Sequence, residues 1–165
     1  MARTEQGRLS GRTAIVTGGA KGIGRHYSEA LAAEGAGVVI ADISGGEEAA
    51  AEIAGKYGAN ATMSVTCDVS REDQVKALMD RAVERFGKID ILVNNAALFA
   101  PLQHTKVQDI DVDLWDKVFA VNVRGSFLTV KHAVPHMMAK RYGKIINIGS
   151  GTVYKGLPGM LHYTA

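Results

Sequence analysis

A glycine-rich segment near the N-terminus has the residue types expected of a phosphate-binding turn. The segment TGGAKGIG occupies residues 17–24, between an apolar run and a stretch of helical periodicity. At the end of the first strand of a parallel sheet, such a turn directs helix N-terminal N–H groups towards a pyrophosphate. Gly18 would permit the tight exit from the strand, Gly22 a close backbone approach to the ligand, and Gly24 close helix packing. The alternative is a flexible turn without a ligand, although each glycine costs roughly 0.5–1 kcal/mol in conformational entropy.

An acidic residue follows at a spacing that favours NAD as the ligand. Asp42 ends the second apolar run, eighteen residues after Gly24, where a carboxylate can accept hydrogen bonds from the adenosine ribose. A 2′-phosphate about 4 Å away would be repelled by on the order of 4 kcal/mol per charge pair at an effective dielectric constant of about 20. Lys21, a base in the glycine loop, could tolerate that phosphate, so NADP is the less favoured alternative. The structural alternative for Asp42 is that it only ends a strand and starts the turn at 42–46.

These residues need a framework, and the chain alternates short β-branched runs with longer segments of helical periodicity. Ser70 is predicted to cap a helix as the first residue of a capping box with Asp73, and Gly87 is predicted to end that helix. The segment 113–139 is predicted to form two helical segments that meet near Asn122. Strands are predicted at 13–17, 37–42, 62–68, 89–95 and 144–150, and the other helices at 23–34 and 47–57.

The apolar character of the strands predicts the fold class. Strands 13–17, 37–41 and 145–148 are nearly continuous apolar runs, as expected when helices cover both faces of a parallel sheet. We therefore expect an α/β fold with a doubly wound, Rossmann-like sheet and right-handed crossovers. Residues 1–165 are expected to form one dinucleotide-binding domain.

Composition and charge exclude several other classes of protein. The net charge of +2, with acids and bases interspersed, gives no reason to expect nucleic acid or a membrane as a partner. The polar N-terminal sequence MARTEQGRLSGR lacks the apolar core of a secretory signal, and no stretch approaches the roughly 20 apolar residues of a membrane span. Cys67 is the only cysteine, so we expect a cytoplasmic protein in which this residue is a small buried hydrophobe. The five scattered histidines lack metal-ligand spacing, and no metal is predicted.

Further motifs, taken in their order along the chain, resemble those of the short-chain dehydrogenase/reductase family. They are T-G-x-x-x-G-I-G at 17–24, NNAA at 94–97, Asn122, IGS at 148–150 and Tyr163. The resemblance covers residues 9–165, and the ordered set is highly specific although each motif alone is not. Ala97 stands where the family usually has glycine, a mild departure that could shift the loop 97–104.

The resemblance implies a dinucleotide site along the carboxyl edge of the sheet. Asp68 and Val69 would flank the adenine, with the Asp68 side chain bonding its amino group. Asn94, Asn95 and Ala96 match a motif of the family that stabilises the sheet and passes under the cofactor ribose. The implied cofactor-binding residues are Gly18, Lys21, Gly22, Ile23, Gly24, Asp42, Asp68, Val69, Asn94, Ala96 and Tyr163.

The resemblance also implies a catalytic set of Asn122, Ser150 and Tyr163. Tyr163 would take the hydroxyl proton of an alcohol, or return it in the reverse direction, and Ser150 would hydrogen-bond the substrate oxygen. Asn122 would hold a water that carries protons to solvent. Taken singly, these residues could be a turn serine, an asparagine that satisfies a helix break and a packing tyrosine. His162 and Tyr154 are weaker candidates because they miss the motif spacing.

One residue of the family pattern falls beyond the given sequence. The pattern Y-x-x-x-K places a lysine four residues after Tyr163, two positions past Ala165. A phenol titrates near pH ~10, and lowering that pKa to ~7 requires roughly 4 kcal/mol, which in this family the lysine and the oxidised nicotinamide supply. We expect these residues to be part of a longer enzyme or a truncated product that lacks the final helices and strands. Apolar surface on the fifth strand and on the helix 123–139 would then be exposed.

The expected function is NAD-dependent interconversion of a secondary alcohol and a ketone by hydride transfer. The alternatives are a 3-oxoacyl-thioester reductase that uses NADPH, and a non-catalytic module that binds NAD or forms oligomers. The resemblance implies a small-molecule substrate and a homodimer or homotetramer. Residues 98–102 and 153–161 would shape the substrate pocket, and the apolar residues Leu157, Pro158, Met160 and Leu161 suggest a hydrophobic or cyclic alcohol.

Overall fold

The computed structural model describes residues 7–165 and alternates strands with helices along the chain. The expectation about a secretory signal rests in part on residues 1–6, which lie outside the described residues. The strands are β1 (Thr13–Thr17), β2 (Gly37–Asp42), β3 (Thr62–Thr66), β4 (Ile91–Asn94) and β5 (Lys144–Asn147). The helices are α1 (Gly22–Ala33), α2 (Gly46–Tyr57), α3 (Glu72–Phe86), α4 (Val112–Phe119), α5 (Gly125–Ala139), α6 (Thr152–Lys155) and α7 (Leu161–Thr164).

The strands of the described residues form one parallel sheet in the order β3-β2-β1-β4-β5. In its centre, Val16 of β1 lies opposite Ile40 of β2 and Val93 of β4. The chain builds outwards from β1 in one direction through β2 and β3, and in the other through β4 and β5. The strand order therefore reverses beside β1, and a crevice opens there at the carboxyl ends of the strands. The predicted Rossmann-like sheet is confirmed.

Helices cover both faces of the central strands. The side chains of β1 alternate between the faces, so Ile15 lies in one core and Ala14 and Val16 lie in the other. The first core is completed mainly by α3 and α5, and the second by α1 and α2. The first contains Val39, Ala41, Val65, Val75, Leu78, Met79, Ala82, Leu92, Leu128, Ala133 and Met137, and the second contains Ala32, Val38, Ile40, Ala49, Ala50, Ile53, Ile91 and Val93. The doubly wound arrangement is confirmed, because each face has its own apolar layer.

The outer strand β5 is only partly covered. Ile145, Ile146 and Ile148 are 38%, 46% and 39% exposed. This agrees with the expected exposure of apolar surface on the fifth strand, and it differs from the two-sided cover that an apolar run usually indicates. This strand pairs only with β4 within the described residues, and α5 packs against β4 and α3 instead. Its apolar sequence is typical of a covered strand, yet its neighbours among residues 7–165 leave it open.

The start of α3 also differs from the prediction. The capping box at Ser70 is wrong, because the helix begins at Glu72 with Arg71 as its N-cap. The Ser70 hydroxyl instead donates to Asp68 Oδ1 at 2.7 Å, and such local side-chain bonds compete with a helix cap. Gly87 ends the helix in a left-handed conformation, with φ of 77°, as predicted.

The strand β3 ends two residues earlier than predicted, before Cys67. The Cys67 N–H still donates to the Asp42 carbonyl at 2.9 Å, which holds the chain beside β2. The thiol is buried, and this burial, with the charge of Asp68 second, raises the pKa of Cys67 to about 11. The side chain therefore stays protonated near neutral pH and packs as a small hydrophobe, as predicted.

Neither a membrane span nor a metal cluster is found in the part of the chain that the structure describes. No helix between residues 7 and 165 is long and apolar enough to cross a bilayer. No group of three or more His, Cys, Asp or Glu side chains in that range is placed to hold a metal ion.

A buried carboxylate fixes the amino-terminal edge of the sheet. Asp90 is 3% exposed and accepts the Thr13 N–H at 2.9 Å through Oδ2. Its Oδ1 pairs with Arg12 Nη1 at 3.0 Å, and Lys88 Nζ lies 3.4 Å from Oδ2. Since Thr13 begins β1 and Asp90 precedes β4, the carboxylate joins the two central strands where they start.

Replacement of Asp90 by alanine should lower the free energy of unfolding by about 2–3 kcal/mol, because it leaves the buried Thr13 N–H without its acceptor. Urea denaturation of the intact protein, followed by circular dichroism, measures this loss. Asp80→Ala, at an exposed position of α3, is the matched control and should change stability by less than about 0.5 kcal/mol. Equal losses in the two variants would contradict the structural role of Asp90.

Candidate functional site

The glycine turn after β1 and the loop after β4 are interlocked at the carboxyl edge of the sheet. The Thr17 hydroxyl accepts the N–H groups of Asn95 and Ala96, each at 3.1 Å. In return, the Asn95 amide donates to the carbonyls of Thr17 and Gly18 at 3.0 and 3.1 Å. Two N–H groups of the loop after β4 and two carbonyls of the glycine turn, which the ends of the strands would leave unpaired, are therefore each hydrogen-bonded to a side chain of the other segment.

The three key glycines of the turn differ in what an added side chain would meet. Gly18 has φ of +62°, and a Cβ there would lie 2.9 Å from Ala96 Cα. A Cβ on Gly24 would overlap the Gly18 carbonyl, so only glycine lets α1 begin this close to the turn. Gly22 has φ of +55°, but nothing lies within 4 Å of an added Cβ. The turn is thus tight on its inner side and open at Gly22, the first residue of α1, where a phosphate would meet free N–H groups.

Two other residues of this turn lie on its outer surface. Lys21 is exposed and is the extended N-cap of α1, with φ of −145°. Ile23 is 64% exposed, which is unusual for an isoleucine in the first turn of a helix that packs on a sheet. Both side chains therefore border the open space beside Gly22, where they could contact a bound dinucleotide.

Asp42 lies at the end of β2 and braces the glycine turn. Its Oδ2 accepts the Ala20 N–H at 3.1 Å. Its Oδ1 accepts the N–H groups of Ile43 at 2.8 Å and Ser44 at 3.4 Å. The residue is 7% exposed. Oδ1 already accepts two N–H groups, whereas Oδ2 accepts one and retains a lone pair for a further donor. Asp42 thus starts the turn at 42–46, which was the structural alternative, and it also places its charge beside the glycine turn.

The predicted adenine pair lies after β3. Asp68 Oδ1 accepts both the N–H and the hydroxyl of Ser70, at 2.9 and 2.7 Å, and the residue is partly exposed. Val69 is 6% exposed and packs against the start of α5, where a Cβ on Gly125 would lie 2.7 Å from its Cγ2. Asp68 is therefore available to a ligand, whereas Val69 has little free surface.

A chain of hydrogen bonds through the buried residues Thr129 and Asn94 passes beneath the site. The Thr129 hydroxyl of α5 donates to Asn94 Oδ1 at 2.6 Å, and Asn94 Nδ2 donates to Asn147 Oδ1 at 2.9 Å. The Ile148 N–H then donates to the Asn94 carbonyl at 2.9 Å. Sequence reasoning identified Asn94 but missed Thr129 and Asn147. The signal was present, since each is a polar residue inside an otherwise apolar run.

Asn122 lies in a π-helical turn, Ala120–Arg124, that joins α4 to α5. This irregularity is where the two helical segments were predicted to meet, and π turns occur frequently at functional sites. The Asn122 Oδ1 accepts the Leu98 N–H at 2.7 Å, and its Nδ2 donates to the Leu98 carbonyl at 3.3 Å. The side chain therefore grips one residue of the loop after β4 through both of its polar groups.

Ser150 and Tyr163 follow β5, the serine in the loop and the tyrosine in the short helix α7. The Ser150 hydroxyl oxygen accepts from the Thr152 hydroxyl at 2.8 Å and from the Thr152 N–H at 3.3 Å. The Tyr163 ring lies 4.6 Å from the Phe99 ring, centroid to centroid. Through Leu98 and Phe99, the structure connects Tyr163 to Asn122. Among residues 7–165, no hydrogen bond joins Ser150 to either of them.

The two weaker catalytic candidates have very different surroundings. Tyr154 is 91% exposed, so its phenol lies in solvent. His162 is 1% exposed, and neither of its ring nitrogens has a hydrogen-bond partner within the described part of the chain.

The predicted apolar pocket wall is present in part. A cleft of about 580 Å³ is lined by His104, Thr105, Lys106, Val107, Leu157, Pro158, Gly159, Leu161 and Thr164. Met160 was expected in this wall, but it is 2% exposed and lies in the interior. Its carbonyl accepts the Tyr163 N–H at 2.9 Å in the turn that leads into α7.

Comparison with known proteins gives one consistent result. The family model described as short chain dehydrogenase matches residues 12–165. A short chain dehydrogenase/reductase from Colletotrichum higginsianum is 43% identical over 95% of this chain and 59% of its own length. A cis-4-hydroxycyclohexanecarboxylate dehydrogenase from Sinomonas cyclohexanicum is 41% identical over 84% of the chain and 55% of its own. A (+)-borneol dehydrogenase from Salvia officinalis is 39% identical over 95% of the chain and 55% of its own.

The structural comparison agrees. The crystal structure of an NAD+-bound xylitol dehydrogenase superposes with a TM-score of 0.88 and 33% sequence identity, covering 95% of this chain and 60% of that one. The chain thus spans between half and three fifths of the length of these relatives.

The hydrogen bond from Thr129 to Asn94 can be tested by Thr129→Val, which keeps the side-chain shape and removes the hydroxyl. We expect it to lower the free energy of unfolding by about 1–3 kcal/mol, because a buried amide oxygen loses its donor. Thr129→Ser keeps the hydroxyl and should lose only about 0.8 kcal/mol, the value of one buried methyl group. Thermal and urea unfolding measure both variants. A valine variant as stable as the parent would show that the bond carries no net stability.

Proposed function

The chain belongs to the short-chain dehydrogenase family, and from this premise we propose that it is the cofactor-binding and catalytic part of an NAD-dependent oxidoreductase. Its reaction is the interconversion of a secondary alcohol and a ketone by hydride transfer. The observation that carries the proposal is the interlocked glycine turn, which leaves the N-terminus of α1 open beside Gly22. This is the geometry that a pyrophosphate needs, with unpaired N–H groups and no side chain in front of them.

The preference for NAD over NADP rests on Asp42. Its carboxylate lies at the carboxyl end of β2, bound to the Ala20 N–H of the glycine turn, so its charge is fixed beside the expected adenosine ribose. A ribose with free hydroxyls can donate to it, whereas a 2′-phosphate would be repelled. The similar xylitol dehydrogenase was solved with NAD+ bound, which is consistent with this choice.

The nicotinamide, when bound, accepts or supplies the hydride, and three side chains of this chain handle the proton and the substrate oxygen. Tyr163 takes the proton of the alcohol or returns it to the ketone oxygen. Ser150 accepts hydrogen bonds from Thr152, which leaves its own O–H free to donate to the substrate oxygen. Asn122 would hold a water molecule that carries the proton to solvent. In the structure, both polar groups of its side-chain amide are hydrogen-bonded to the backbone of Leu98.

The cleft beside α7 supports the proposed substrate class. Leu157, Leu161 and Val107 give it apolar walls, which suit a hydrophobic or cyclic secondary alcohol. The names of two relatives, a 4-hydroxycyclohexanecarboxylate dehydrogenase and a borneol dehydrogenase, point to cyclic alcohols as well.

We further propose a cytoplasmic homodimer or homotetramer. On the α4–α5 face, Val123 and Phe127 are 56% and 61% exposed, and exposed apolar groups of this size favour association. The near-neutral charge balance of the chain supports a small-molecule substrate rather than nucleic acid.

The catalytic proposal is tested in the intact protein with a panel of cyclic and open-chain secondary alcohols and NAD+. Tyr163→Phe should nearly abolish NADH formation, because the phenyl ring has no proton to exchange, while the affinity for NAD+ remains. Tyr154→Phe, which removes the hydroxyl of the exposed neighbour, should leave kcat unchanged. Activity retained by the Tyr163 variant, or lost by the Tyr154 variant, would overturn the assignment.

The cofactor proposal is tested by Asp42→Asn, which keeps an oxygen acceptor and removes the charge. The ratio of kcat/KM for NAD to that for NADP should fall by about tenfold or more, because the repulsion of a 2′-phosphate disappears. Asp80→Asn, far from the site on the surface of α3, is the control for the loss of one negative charge. An unchanged ratio in Asp42→Asn would refute the ribose assignment. A wild-type enzyme that prefers NADPH and a 3-oxoacyl thioester would support the reductase alternative.

A further inference from the structure

We propose that Phe99 is a positioning residue that sets the orientation of the Tyr163 ring, and that Asn122 acts on Tyr163 through it. The inference rests on the proposed function, since it assigns a role in that reaction to a loop residue outside the motif set. Its basis is a continuous path of contacts from the π-helical turn, through residues 98–105, to the helix that carries Tyr163.

The two rings are in direct contact. Their centroids are 4.6 Å apart and their planes are inclined by 43°, which is within the range of favourable aromatic pairs. Phe99 is 46% exposed, whereas Tyr163 is partly buried. The contact therefore places the half-exposed Phe99 ring directly against the proposed catalytic ring.

The residue before Phe99 is held firmly. Asn122 binds the N–H of Leu98 at 2.7 Å and its carbonyl at 3.3 Å, a two-point grip that fixes the peptide plane. The Phe99 carbonyl then accepts the Leu102 N–H at 2.9 Å, closing a turn. The backbone that carries the Phe99 ring is therefore fixed relative to the π-helical turn between α4 and α5.

The far end of the same loop is clasped to the segment that leads into α7. The His104 ring Nδ1 lies 2.7 Å from the Pro158 carbonyl, and the Thr105 N–H donates to the Gly159 carbonyl at 2.7 Å. Gly159 has φ of +75°, and a Cβ there would lie 3.1 Å from His104 Cβ. The loop thus holds both the tyrosine ring and the backbone that precedes it.

Several contacts hold α7 and its tyrosine in the described chain. Helix α4 packs against α7, and the Tyr163 N–H donates to the Met160 carbonyl at 2.9 Å. The loop 98–105 contacts the segment before α7 through His104 and Thr105, and it contacts the tyrosine ring through Phe99. Phe99 is therefore the loop residue whose removal tests the orientation of the ring.

Replacement of Phe99 by alanine in the intact protein should lower kcat by about tenfold or more, since a catalytic group misplaced by about 1 Å can cost a hundredfold. The KM for NAD+ should stay within about twofold, because the residue lies away from the glycine turn. Phe99→Tyr keeps the ring and should restore kcat. Tyr57→Ala, which removes an exposed aromatic ring of α2, is the control and should leave both constants unchanged.

A measurement of the ring itself separates this proposal from the proposed function. In protein with labelled tyrosine, the Tyr163 resonance is assigned by its loss in Tyr163→Phe. It should shift in Phe99→Ala, because the ring current of Phe99 is removed and the phenol reorients, and return towards its position in Phe99→Tyr. An unmoved resonance, or a kcat that stays unchanged while the resonance moves, would overturn the positioning role. If the wild type reduces no NAD+ with any alcohol, the proposed function fails and the positioning role fails with it, and the resonance then reports only whether the Phe99 ring contacts Tyr163.

Discussion

The mutual satisfaction of backbone groups between the glycine turn and the loop after β4 is the constraint on which the site depends. Parallel strands end with unpaired carbonyls and N–H groups, and buried groups of this kind need partners. Thr17 and Asn95 supply them in both directions. This exchange requires the loops to touch, and Gly18 and Gly24 make the approach possible. The open side at Gly22 is a consequence, since all crowding is on the inner face of the turn.

From these interlocked turns, hydrogen-bonded connections extend in two directions. Below them, the hydrogen bonds among Thr129, Asn94 and Asn147 tie α5 and β4 to β5, the exposed strand that leads to Ser150. Above them, the loop 98–105 runs from the grip of Asn122 to the segment before α7. Within residues 7–165, these cross-connections link the elements that carry the proposed catalytic residues to the interlocked turns.

Much of the site was predictable from local pattern because it consists of motifs whose spacing is short. The glycine turn, the aspartate at the end of β2 and the helix irregularity at Asn122 all lie where the sequence predicts them. What the pattern could not supply was the set of partners. Asn122 binds Leu98, 24 residues away, and Asn94 binds Asn147, 53 residues away. Residues so far apart in the sequence become partners only when the chain folds, and no local pattern of the sequence predicts such a pair.

The sequence by itself determined the parallel α/β sheet and the helix faces, because the alternation of apolar runs dictates which residues leave water. It also determined that α3 ends at Gly87 in a left-handed conformation, because this kind of helix end depends only on local backbone geometry. The tertiary structure alone decided that Ser70 would bind Asp68 instead of capping α3, and that Met160 would turn inwards. The physical reason is the same in each case: burial and hydrogen-bond partners are properties of the assembled neighbours, and a residue's own type only limits the choice.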